Sequence, residues 1–256
     1  MSYKYEELDK RLISFAPSKR QVEYQQREFY GFIHFTVNTY TNKEWGLGDE
    51  SPEIFNPYDL DAESWVKAAV SAGIKGLILT CKHHDGFCLY DSKLTDFTSM
   101  NAPCKRDLVR EFLEAFRAEG IKVGLYYSII DWRHEDFPHY GDMHHPMRNN
   151  EKCSNENRNF DRYLEYMFGQ IKELLTDYGH LDLMWFDFSY GDMKCDKWKA
   201  KELMEMVRSI QPHIIIDNRL EGSAEDAGSI RTLEPTTYSG DFASPEQMIP
   251  PEGIRD

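Results

Sequence analysis

Positive charge is scarce in this chain: 30 Lys and Arg stand against 44 Asp and Glu, a formal net charge of −14. Nucleic acid and anionic membrane surfaces repel such a protein, so a neutral or cationic substrate fits better. Long apolar runs are missing too, none approaching the roughly 20 residues of a membrane span. Residues 1–13 are charged and lack the apolar core of a signal peptide. The expectation is a cytoplasmic protein, or a secreted or periplasmic one whose signal has been removed. The five cysteines (Cys81, Cys88, Cys104, Cys153, Cys195) form no C-x-x-C or other metal-ligand spacing. Their odd number argues against a fully paired disulfide framework, so the compartment reads as reducing. What the chain does have is 41% hydrophobic and 14% aromatic residues over 256 positions, enough to bury a sizeable core in one domain.

Helical and strand patterns alternate along it. Trp65, Ala69 and Ala72 recur at helical spacing from Asp61 and stop at Gly73; Gly76 to Thr80 follows as a strand. Leu108, Phe112 and Phe116 mark a second helix from Asp107 to Gly120, and Lys122 to Ser128 the next strand. Phe160, Leu164, Met167, Ile171 and Leu174 form a longer helix that stops at Gly179 before the strand Leu183 to Phe188. Leu203, Val207 and Ile210 lie on a fourth helix ahead of Pro212, then comes His213 to Ile216; Phe29 to Ile33 is an earlier strand. Five nearly all-apolar strands joined through helices mean an α/β fold with a parallel, helix-covered sheet, either a (β/α) barrel or a doubly wound sheet.

Polar residues fall at the strand ends: His34, then Lys82-His83-His84-Asp85, then Tyr127 and Ser128, then Asp187, then Asn218-Arg219. A barrel brings those ends together on its active face. No Gly-rich phosphate loop follows the first strand, which weakens the nucleotide-binding alternative. A TIM-like (β/α) barrel is therefore favoured, with about five to six of its eight units present. After Arg219 only residues 220–256 remain, so the barrel reads as incomplete and the chain as cut short. Residues 131–157, rich in His, Asn and charge, read as a long loop on the active face.

Asp187 needs the most explanation, because an unpaired carboxylate in the run Leu183-Met184-Trp185-Phe186-Asp187-Phe188 costs several kcal/mol in order of magnitude to desolvate. It either caps or pairs structurally, or it works. Lys82-His83-His84-Asp85, with His134, His139, His144 and His145 in the long loop, invites a metal reading. Against it, adjacent histidines on extended chain point to opposite sides, and no H-E-x-x-H spacing is present. Neutral imidazoles also suit sugar hydroxyls. Glu44-Trp45 offers an acceptor beside an apolar plate, as sugar sites do, although Trp45 is equally consistent with ordinary packing. Arg219 reads either as a site residue or as a counter-charge for buried carboxylates. Glycosidic hydrolysis needs two carboxyls. Asp187 supplies one; Glu221, Glu225, Glu234 and Glu246 are candidates for the other, and spacing does not choose among them.

Taken in order, Gly31-Phe32-Ile33-His34-Phe35, Glu44-Trp45-Gly46, the run Thr80 to Phe87, Gly124 to Ser128, Trp185-Phe186-Asp187, Asn218-Arg219 and Asp241 to Glu246 resemble family 29 glycoside hydrolases, the α-L-fucosidases. The resemblance implies a retaining exo-glycosidase that releases terminal α-L-fucose from oligosaccharides or glycoconjugates without metal or cofactor. Residue by residue it implies Asp187 as nucleophile and Glu246 as acid/base, with His34, Glu44, Trp45, His83, His84, Tyr127 and Arg219 lining the fucose pocket. Trp45-Gly46 and Ser244-Pro245-Glu246-Gln247 resemble the branch that prefers α-1,3/1,4-linked fucose. Family members continue through further barrel units and usually a β-sandwich domain, and the expectation is that this chain lacks both. Two alternatives stand beside the enzyme: an inactive fucose-binding remnant, and a metal-dependent hydrolase built on His83, His84 and Asp85. Exposed edges of an incomplete barrel would favour oligomers.

Overall fold

Three of the barrel helices begin where a short polar side chain accepts a hydrogen bond from the first turn. Asp61 accepts from the Ser64 amide, Asp107 from Arg110, and Asn159 from Asp161 and Arg162. A computed structural model describes residues 16–138, 144–150, 154–223, 228 and 235–246. Its main elements are α1 (Lys19–Gln25), β1 (Tyr30–Ile33), α2 (Ala62–Ser71), β2 (Gly76–Lys82), α3 (Leu108–Ala118), β3 (Lys122–Ser128), α4 (Phe160–Asp177), β4 (Leu183–Asp187), α5 (Ala200–Ile210) and β5 (Ile215–Ile216).

All neighbouring strands are parallel, in the order β1-β2-β3-β4-β5. A doubly wound sheet reverses its strand order at a switch point, whereas a barrel adds each new strand to the same side. The monotonic order is that of a barrel arc. Beyond β5 it continues by one parallel bridge, Asp217 to Phe242. Gly240 makes that approach possible: its φ is +64° and a Cβ there would lie 2.1 Å from the Asp217 carbonyl oxygen.

Two apolar layers flank the sheet, because parallel strands are buried on both faces. On the helix side, Leu79, Leu125, Met184 and Ile216 join Phe112 and Phe116 of α3, Met167 and Ile171 of α4 and Leu203 of α5. On the inner side Ile78, Tyr126, Leu183 and Ile215 pack with Tyr24, Tyr30, Trp185 and Phe242. Tyr24 of α1 spans the arc, its ring 5.2 Å from Tyr30 and 4.7 Å from Phe242. Arg20 and Arg208 both donate to the Asp241 carboxylate, at 2.8 and 3.0 Å, and fix the other end of that bridge.

The expected elements are present, with two adjustments. The last strand is only Ile215–Ile216, because the Ile214 amide is engaged by the Gln211 carbonyl in a turn. In α2 the buried positions are Ala62 and Val66, while Trp65 is 40% exposed. Phe112 is fully buried, with its ring 5.5 Å from Trp65. Phe112→Ala is expected to lower stability by about 3–5 kcal/mol. Urea denaturation checks this, and a loss under about 1 kcal/mol would place α3 outside the core.

Candidate active site

The strand ends meet at a cleft of about 620 Å³. At its base lies Asp187, the last residue of β4, held by two donors: the Tyr126 hydroxyl reaches Oδ2 at 2.6 Å and Arg219 Nη1 reaches Oδ1 at 3.0 Å. Burial raises the Asp187 pKa above the ordinary carboxylate value, the Arg219 charge and the Tyr126 hydrogen bond pull it down, and the Glu246 charge pushes it up. The same Arg219 Nη1 donates to Glu246 Oε2 at 2.7 Å. These two contacts cap the separation of the carboxylate oxygens at about 5.7 Å, compatible with the ~5–5.5 Å spacing of retaining glycosidases.

Arg219 is itself rigidly held. Its Nε donates to Ser244 Oγ at 2.9 Å and its Nη2 to the Ser244 carbonyl at 3.0 Å. Asn218 Oδ1 accepts from both the amide and the hydroxyl of Ser244. The loop that carries Glu246 is thereby clamped to the end of β5.

Histidines and aromatics form the walls. His83 and His84 both line the cleft, with ring centroids 4.0 Å apart. Period-two alternation does not separate them, because they lie past Lys82, where β2 ends and the chain turns. Burial first, then the charges of His83, His34 and Lys82, hold the His84 pKa well below the ordinary histidine value. His34 lies 4.7 Å from His83, ring to ring, and its Nδ1 is 3.2 Å from the Thr80 hydroxyl. Trp45 stands edge-on to His84 and Phe188, and Glu44 lines the rim beside it. Phe188 has φ +85°, a left-handed conformation that an aromatic residue seldom adopts. The Ser223 hydroxyl accepts from the Phe188 and Ser189 amides and holds this turn, which brings the Phe188 ring to 4.3 Å from His84.

The sequence profile of the family described as Alpha-L-fucosidase matches residues 13–252. The chain belongs to the α-L-fucosidase family. Alpha-L-fucosidase isoenzyme 1 from Paenibacillus thiaminolyticus is 48% identical, with a TM-score of 0.82 over 91% of this chain and 57% of its own. Alpha-L-fucosidase 1 of Arabidopsis thaliana is 34% identical across 78% of this chain and 36% of its own length. A family 29 enzyme from Bacteroides thetaiotaomicron, solved as a trapped covalent intermediate with 2-fluoro-fucosyl fluoride, is 27% identical with a TM-score of 0.73, over 89% of this chain and 54% of its own. This chain thus spans about a third to somewhat over half the length of these relatives.

Of the residues expected at the site, His34, Glu44, Trp45, His83, His84, Asp187 and Glu246 line the cleft, and Arg219 ties its two carboxylates together. Tyr127 does not reach it. Fully buried on the helix side, it donates to Gln170 Oε1 at 2.8 Å and covers the Lys82 ammonium. Tyr126 takes its place. The register pairs Ser128 with Asp187, so stepping back two residues from Ser128 reaches the inner face at Tyr126. Alternation in the sequence puts the two tyrosines on opposite faces, and the register decides which of them meets the cleft. Phe188 and Tyr190 are also cleft residues that sequence reasoning passed over.

Of the loop histidines, His144 lines the cleft, whereas His145 is fully buried beside Trp132 and His134 packs on Tyr163 and Tyr166. His139 lies outside the described residues. Among the alternative carboxyls, Glu221 is buried and accepts from the Thr236 and Ser239 hydroxyls; Glu225 and Glu234 lie outside the described residues.

The depressed His84 pKa has a consequence for stability. The unfolded chain takes up this proton near pH 6.5 while the folded protein resists it. The neutral-His84 contribution is therefore fully present above pH 6.5 and falls away as pH drops below it. Wild type should lose stability on acidification from pH 6.5 more steeply than His84→Gln, measured by urea midpoints across that interval. Equal slopes would show that His84 charges as readily in the folded protein as in the unfolded chain.

Proposed function

We propose that this chain is the catalytic region of a retaining α-L-fucosidase acting on terminal fucose of glycans. The observation that carries the reading is the single Arg219 nitrogen shared by Asp187 and Glu246, which keeps two carboxyls within the range for direct attack. In the first step an Asp187 oxygen bonds to the anomeric carbon as the bond to the aglycone oxygen breaks, and Glu246 gives its proton to that oxygen. In the second, water gives a proton to Glu246 and its oxygen to the anomeric carbon, releasing fucose and restoring the Asp187 carboxylate. Asp187 enters the cycle ionised, supported by the Arg219 charge and the Tyr126 hydroxyl. Glu246, whose side chain is 47% exposed at the rim, is the carboxyl open to the leaving oxygen.

A preference for α-1,3/1,4-linked fucose is part of the proposal. It is supported by the Trp45-Gly46 pair and the Ser244-Pro245-Glu246 loop, and by the aromatic wall of Tyr190 and His144, whose rings lie 4.5 Å apart beside the carboxyls. Gln247 of that motif lies outside the described residues.

Release of 4-nitrophenol from 4-nitrophenyl α-L-fucoside tests the activity. Asp187→Asn is expected to lower kcat by on the order of 10³ or more. A branched α-1,3/1,4-fucosylated oligosaccharide should be cleaved with a higher kcat/KM than an α-1,2-linked one. A folded wild type inert to every substrate would leave only a fucose-binding role, and activity abolished by a chelator would point to a metal-dependent hydrolase instead.

Association belongs to the same reading: β1 is the outermost strand of the sheet among the described residues, and its edge suits pairing with a second copy, whereas the edge of β5 is met by residues 241–242. Sedimentation velocity should show dimers or larger species at micromolar concentration; a monomer would remove this part of the proposal.

A further inference from the structure

His83 and His84 are neighbours in sequence and both line the cleft, yet their hydrogen bonds differ in kind. The His84 Nδ1 lies 2.8 Å from Ser128 Oγ, and that hydroxyl is also 3.1 Å from the Ile130 carbonyl oxygen. A serine hydroxyl has one proton, and a carbonyl oxygen only accepts. With that proton given to Ile130, Ser128 receives one from His84. The hydrogen of the neutral His84 ring is therefore on Nδ1, and Nε2 keeps a lone pair.

His83 is held the other way. The Asp85 carboxylate, fully buried and fixed by the Phe87 amide at 2.8 Å, only accepts. The Asn38 amide must therefore present its nitrogen, which donates to Asp85 Oδ2 at 2.8 Å. The same nitrogen lies 3.4 Å from His83 Nδ1, so its second hydrogen faces that ring nitrogen. At 3.8 Å Asp85 Oδ2 is too distant to accept from Nδ1 directly. Nδ1 of His83 is the acceptor, and the ring hydrogen sits on Nε2. The turn between these two networks requires glycine: Gly86 has φ +86°, and a Cβ there would lie 2.3 Å from Asp131 Oδ1.

We propose that Ser128 and Asn38 are positioning residues that lock His84 and His83 in opposite tautomers, so that the adjacent rings offer the bound sugar one acceptor and one donor. The inference rests on the reading of the cleft as a fucose pocket. A single sugar hydroxyl, or two neighbouring ones, can then donate to His84 Nε2 and accept from His83 Nε2. Two identical tautomers would leave one of these contacts without a proton or with two. The lock also lowers the cost of binding, since neither ring has to shift its hydrogen when the sugar arrives.

Nitrogen NMR of the unliganded protein labelled at histidine reads both tautomers without any turnover, so it separates this inference from the fucosidase reading. The expected wild-type result is His84 protonated at Nδ1 and His83 at Nε2; the same tautomer on both rings would overturn the proposal. Ser128→Ala should move His84 towards the Nε2–H form and raise KM for the nitrophenyl fucoside about tenfold, with a smaller effect on kcat. Ser128→Thr, which keeps the hydroxyl, should restore both. A Ser128→Ala protein with the wild-type tautomer and KM would assign the serine a purely structural place. If that variant does not fold, the wild-type spectrum alone decides.

Discussion

A buried guanidinium holds this site together. Arg219 is 3% exposed, and its donors are divided between the two carboxylates on one side and Ser244 on the other. Removing one member of such a buried charge cluster leaves the rest uncompensated, at a cost of several kcal/mol in order of magnitude. The cluster also crosses chain segments: Asp187 ends β4, Arg219 follows β5, and Glu246 lies in a later loop. None of these segments places its charge correctly without the other two, so the geometry of the carboxyl pair is a property of the barrel face as a whole.

Much of this was legible in the sequence because it depends on local rules. The strands are uninterrupted apolar runs, the helices carry stripes at three- and four-residue steps, and Asp61 and Asp107 mark two of their starts. Strand ends collected the histidines, Asp187 and Arg219 for the same reason, since polar side chains are tolerated where buried strands run out. What was not legible depends on which way a side chain faces. Tyr126 and Tyr127 are indistinguishable by composition, and only the pairing of Ser128 with Asp187 assigns one to the cleft and the other to the helix layer. Phe188 was hidden for a different reason. It reads as the natural end of an apolar strand, and its left-handed backbone follows from Ser223, 35 residues later, accepting its amide hydrogen.

The four candidate glutamates of the tail show the same limit. Composition treats Glu221 and Glu246 alike, yet one is buried under the hydroxyls of Thr236 and Ser239 and the other projects at the rim towards Arg219. The difference comes from the clamp between Asn218 and Ser244, a contact across 26 residues that no short motif encodes.

Lys82 has a bearing on the chemistry although it never meets the cleft. Its ammonium is fully buried beneath Tyr127 and donates to the Ile130 carbonyl, the same oxygen that Ser128 approaches from the other side. A cation at that depth makes a positive charge on His84 more expensive, with Asp131 Oδ2, 3.5 Å from the ammonium, offsetting part of its field. His84 is thus held as an uncharged polar contact. On the proposed fucosidase reading, charge that builds on a sugar ring would meet the Asp187 carboxylate as its nearest strong counter-field.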